Sequence, residues 1–107
     1  MPDDDTALLL KLIGDQPDAS ADVLAHAADS TSTPLLVAAA LLVGDAGLLT
    51  RAAQHATTTR DRQLVALAQA HLRGDADLFH ALVRDHLSDY PDNLLAAWIA
   101  GRTPPTP

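Results

Sequence analysis

Asp85-His86-Leu87-Ser88-Asp89 sets an acid, a base and a nucleophile side by side, the residue types of a hydrolytic triad. Their spacing denies them that chemistry. On a helix, neighbours one or two positions apart do not share a face, so His86 cannot take a proton from Ser88. Asp22 and His26 stand four apart, as do Arg51 and His55, and each of those pairs does share a face. Asp22 and His26 would supply two ligands to a metal ion, but a site needs three or four and no third stands near them. His26, His55 and His86 instead fall toward the C-terminal halves of expected helices, where a polar or cationic group meets the negative end of the helix dipole. The chain has no cysteine, no Glu, no Gly-rich phosphate loop and no His-Glu-x-x-His motif. The residues therefore predict a protein that is not an enzyme and that holds neither metal nor cofactor.

The elements that must position these side chains are helices. Hydrophobic residues make up 48% of the chain, enough to pack a core, and most of them are Ala and Leu. The aromatic strand formers are reduced to one Phe, one Tyr and one Trp. At 107 residues the chain is expected to form one domain over 1–101, followed by a disordered Pro-rich tail over 102–107. Net charge is −7, concentrated early: residues 1–33 hold seven Asp against one Lys. Such a chain repels phosphate backbones, which argues against nucleic acid and leaves either a basic protein surface as the charge-matched partner or a simply solvated acidic end. The acidic start, Met1 to Asp5, is the opposite of a secretory leader, and the uncharged run over 31–44 is too short to span a bilayer. A cytoplasmic protein without membrane contact is the expectation.

A repeat organises the helices. Leu12-Ile13-Gly14-Asp15, Leu42-Val43-Gly44-Asp45 and Leu72-Arg73-Gly74-Asp75 recur at a spacing of thirty. Ala38 aligns with Ala68, Ala40 with Ala70, Ala46 with Ala76, and Leu48 with Leu78. Each Gly is expected to end a helix with positive φ, and each following Asp to cap the next helix. Thr33, ahead of Pro34, is a predicted N-cap, Thr57-Thr58-Thr59 serves before the fifth helix, and Pro91 stops the sixth. The spacing predicts helices over 4–13, 19–29, 34–43, 46–56, 60–73, 76–89 and 93–100.

Their faces predict a stack. Leu78, Phe79, Leu82, Val83 and Leu87 share one stripe of the sixth helix. The third helix, Leu35 to Val43, is apolar all round and should be enclosed. Leu94 to Ala100 is also without a polar side chain, although the last helix of an array normally turns a polar face to water. Arg60 and Arg62 open the fifth helix, where they gain nothing from the dipole, and either contact an acidic partner or pair with Asp61.

Across residues 34–101 the chain resembles the tetratricopeptide repeat family of α-solenoids. The resemblance rests on Gly74 at the turn within a hairpin, Pro91 seventeen residues later, the helix opening after it, and Ala38 and Ala68 as small crossing residues. Leu41 and His71 stand where the family has a large, often aromatic residue. The period of thirty is shorter than the family's thirty-four, and Phe79 and Leu49 stand where a small residue is usual. The resemblance implies three helical hairpins in a short right-handed solenoid, closed by a seventh helix. It also implies a scaffold that binds a protein or peptide, with the first helix of each hairpin lining a concave surface. Arg62 and His71 are the candidate groove residues, and Trp98 is the candidate anchor on the terminal helix, with closure of the third hairpin's core as the other reading of it. Self-assembly into a homodimer through that apolar helix is the alternative expectation. A DNA-binding helix-turn-helix would need a basic recognition helix, and none is evident.

Overall fold

A computed structural model describes residues 4–14 and 16–101 of the protein. The described residues form seven helices and no strand: α1 (Asp4–Ile13), α2 (Ala19–Ala27), α3 (Thr33–Val43), α4 (Ala46–His55), α5 (Thr59–Arg73), α6 (Ala76–Asp89) and α7 (Leu94–Ala100). Each expected helix is present, and the ends differ by at most two residues. The tail over 102–107 and the cap expected of Asp15 lie outside the described residues.

Two of the three Gly-Asp pairs form the predicted turn. Gly44 and Gly74 take φ of 69° and 72°, and in both turns the following Asp N–H donates back into the helix, Asp45 to Ala40 O and Asp75 to Ala70 O, each at 3.1 Å. Asp45 Oδ1 then accepts from Gly47 N at 2.8 Å and Asp75 Oδ1 from Leu78 N at 3.2 Å, capping α4 and α6. Gly14 departs from the expectation and is not in the left-handed region. The link from α1 to α2 is longer, and Asp18 takes the positive φ, 66°, with no side-chain cap bond. A longer link spreads the reversal over more residues, so no single Gly has to make it.

Gly44 isolates the backbone contribution to such a turn, because a Cβ built there meets no heavy atom within 4 Å. Gly44→Ala is expected to destabilise the fold by about 1 kcal/mol through the left-handed backbone alone. Gly44→Asn is expected to recover part of that loss, since Asn tolerates this conformation. Urea unfolding of both variants checks it: equal losses would mean that backbone strain is not the cause.

Thr33 is not the cap of α3. Ser32 occupies the N-cap position without a side-chain bond, and α3 begins at Thr33. The Thr33 hydroxyl is buried and donates to Ala52 O at 3.2 Å, tying the start of α3 to α4. Thr58 caps α5 as expected, its Oγ1 accepting from Asp61 N at 3.1 Å. Arg51 fastens α4 to the end of α2 by donating to Ala28 O and Ser30 O at 3.3 and 3.2 Å, where free helix carbonyls favour a cation.

The core runs through α3. Leu35 to Leu41 are buried without a break, and α3 packs against α1, α2, α4 and α5. That is the enclosure its unbroken apolar sequence predicts. In α6, Phe79 and Val83 are buried, while Leu78 of the expected stripe is exposed. The apolar α7 packs on α6 and also against α1, burying Leu95, Ala96 and Ile99. First and last helices thus meet, within overall extents of 35 × 29 × 27 Å. No helix of the described residues is long and apolar enough to cross a membrane.

Candidate functional site

Where α1 meets α7, a cleft of about 270 Å³ opens at the surface. Its apolar lining comes from Leu9 and Ile13 of α1, Leu64 of α5 and Leu95 of α7. Leu10 and Leu94, both half-exposed at 51% and 54%, stand on its two flanks. Arg60, Asp61 and Asp92 supply its charges. The capping bond of Thr58 starts α5 so that Arg60 and Asp61 fall in its first turn, beside the cleft. Asn93 does the same for α7, its Oδ1 accepting from Ala96 N at 3.4 Å, and Asn93 is itself part of the wall.

Behind this wall lies a buried polar chain. His86 is fully buried on α6, with Nδ1 2.9 Å from Gln63 Oε1 and Nε2 2.8 Å from Asn93 Nδ2. One proton arrangement satisfies every partner. Nδ1–H donates to the Gln63 carbonyl oxygen, and the bare Nε2 accepts from the Asn93 amide, whose own oxygen is committed to Ala96 N. His86 is therefore neutral. Its pKa is lowered from the ordinary 6.5, first by burial and then by the Arg60 charge, while Asp89 pulls the other way. Tyr90 lies against the imidazole, ring centres 5.1 Å apart, and the Arg60 guanidinium sits over the Tyr90 ring at 5.6 Å.

Comparison with known proteins finds no matching family model, curated protein or solved structure. The site is thus read from its own chemistry.

None of Arg62, His71 and Trp98 lines the cleft. Arg62 is exposed on α5, and Arg60, two residues earlier, takes the position beside the cleft. His71 is buried, its ring edge-on to Phe79 with centres 5.1 Å apart. Trp98 is half-buried on α7, one turn beyond Leu94. His26 Nδ1–H donates to the Asp22 backbone carbonyl at 3.1 Å, so the contact between these two residues is made through the main chain of Asp22. Among the described residues no three His, Asp or similar side chains are grouped to hold a metal ion. Reading the sequence missed the cleft residues Leu10 and Leu94, and missed Gln63 and Asn93 as the partners of His86. The position of His86 was open to inference: Phe79, Leu82, Val83 and His86 follow the i, i+3, i+4, i+7 spacing of a buried stripe.

Proposed function

We propose that the protein is an interaction module that receives an apolar segment of another protein, flanked by basic residues, in the cleft between α1 and α7. The observation that carries this reading is the pairing of Leu10 and Leu94, two large apolar side chains left about half-exposed on either side of one apolar depression. Asp61 and Asp92 beside the cleft, and the net charge of −7, suit Lys or Arg next to the docked apolar residues. The module is a divergent tetratricopeptide-like array of three hairpins. The matched turns at Gly44 and Gly74 support that kinship, and so does the contact of His71 with Phe79. His71 and Phe79 are two of the positions where the sequence departs from the family in size, and there a smaller ring and a larger one pack on each other.

Selection from a displayed random-peptide library tests the proposal. The protein is expected to enrich peptides with apolar residues beside Lys or Arg, and Leu94→Asp to weaken the selected peptide roughly tenfold or more, about 1.4 kcal/mol. Circular dichroism of Leu94→Asp should remain that of the parent, because the side chain is already half in water. Undiminished binding by both Leu94→Asp and Leu10→Asp would refute the cleft as the site.

The same exposed leucines favour a second reading, in which the cleft region of one copy meets that of another. Light scattering separates the two. A dimer that dissociates in Leu94→Asp assigns the surface to self-association, and a monomer at all concentrations leaves it to a different protein.

A further inference from the structure

The seven-residue α7 is too short to persist as a helix by its own backbone bonds. It is held by the burial of Leu95, Ala96 and Ile99 and by the attachment of its N-cap residue to His86, among other contacts. Asn93 is bound on both sides of its amide, with Oδ1 toward Ala96 N and Nδ2 toward His86 Nε2, and its backbone N–H donates to Tyr90 O at 3.1 Å. A proton on Nε2 would turn that nitrogen into a second donor facing the Asn93 amide donors. Turning the amide over to offer its oxygen to His86 would take that oxygen from Ala96 N. Asn93 cannot serve both partners once His86 is charged.

We propose that His86 is an acid-released latch, whose protonation detaches Asn93, frees the start of α7 and opens the cleft wall formed by Asn93, Leu94 and Leu95. The groups that face His86 set its bias. From α5, Gln63 accepts from Nδ1 and Arg60 opposes a second charge. On α6 itself Asp89 favours protonation, and Tyr90, just past the helix end, packs on the ring. From the α6–α7 link, Asn93 offers only a donor to Nε2. Burial and Arg60 hold the latch closed near neutral pH, and a proton is taken up at the expense of the Asn93 bond. The effect on binding rests on the cleft reading above, whereas the opening of α7 does not and is measured without any partner.

The chain supplies its own reporter, because Trp98 on α7 is the only Trp. Amide exchange at Ala96, corrected for the intrinsic pH dependence of exchange, and Trp98 emission are followed from pH 7.5 to 5. NMR titration of His86 accompanies them. In the parent protein the opening of Ala96 is expected to grow below pH 6.5 by up to about tenfold per pH unit, with a matching change in Trp98 emission. Asn93→Asp reverses the chemistry. One carboxylate oxygen still caps Ala96 N and the other accepts from a protonated Nε2, so His86 should titrate higher than in the parent and acid should no longer open α7. His86→Gln keeps a donor and an acceptor without titrating, and its α7 opening should be independent of pH. If Asn93→Asp does not fold, the His86→Gln comparison decides alone. Protonation of His86 in the parent with no response at Ala96 or Trp98 overturns the latch, as does acid opening that persists in His86→Gln.

Discussion

Phe79→Ala is expected to lower the unfolding free energy by about 3–5 kcal/mol, the usual range for removing a fully buried aromatic ring. Phe79 has no exposed surface and is the largest fully buried side chain of the chain's described residues. Its ring also packs edge-on against His71, 5.1 Å between centres, and tilted against His80 at 5.5 Å. Removal leaves a cavity between α5 and α6, and the buried His71 loses the face it rests on. Small domains hold only about 5–15 kcal/mol in total, so the variant should sit near the edge of folding. Leu78, the preceding residue, is 42% exposed. Leu78→Ala should therefore cost under about 1 kcal/mol, since a large part of the residue stays in water in the folded protein. Urea denaturation of the pair checks the contrast. Similar losses would mean that Phe79 is not packed as described.

The second large effect is the loss of stability in acid. His86 is neutral in the folded protein with its pKa below 6.5, mainly through burial and then through Arg60. Above about pH 6.5 neither the folded nor the unfolded chain protonates this imidazole, and its contribution to stability is complete. As pH falls below that value the unfolded chain takes up a proton that the folded one refuses. Stability then drops by up to about 1.4 kcal/mol per pH unit, until the folded imidazole titrates in turn. The carboxylates common to parent and variant cancel when the parent is compared with His86→Gln. The difference in unfolding free energy between pH 7.5 and 5.5 should be larger for the parent, and parallel curves would remove His86 as the cause.

Features set by local chemistry were legible in the sequence. Gly44 and Gly74 each end a Leu-rich run and precede an Asp, and each became a left-handed turn with that Asp as cap. The unbroken apolar run in α3 announced its own burial. Gly14 carries the same local signature without the same turn, because there Asp18 rather than the Gly takes the left-handed conformation. Thr33 had the chemistry of a cap, but the packing of α4 gave its hydroxyl a buried partner in Ala52 O. The cleft was hidden for a more general reason. Periodicity shows which face of a helix is apolar and not which distant helix covers it, so nothing marked Leu10 and Leu94 as neighbours of one depression. His86 lay on a readable stripe, yet only the meeting of α5, α6 and the start of α7 supplies Gln63 and Asn93.

The meeting of α1 and α7 has a consequence for how the domain comes apart. In an open array each repeat touches only the next, and terminal units fray while the middle holds. Here the first and last described helices cover each other, so melting either one uncovers the other, and unfolding at neutral pH is expected to be cooperative across the described helices. Closing that contact also carries the loop entropy of nearly the full sequence, which places it late in folding. A proton at His86 that loosens α7 removes the cover from α1 as well, and turns one all-or-none transition into a sequence of steps that begins at both ends together.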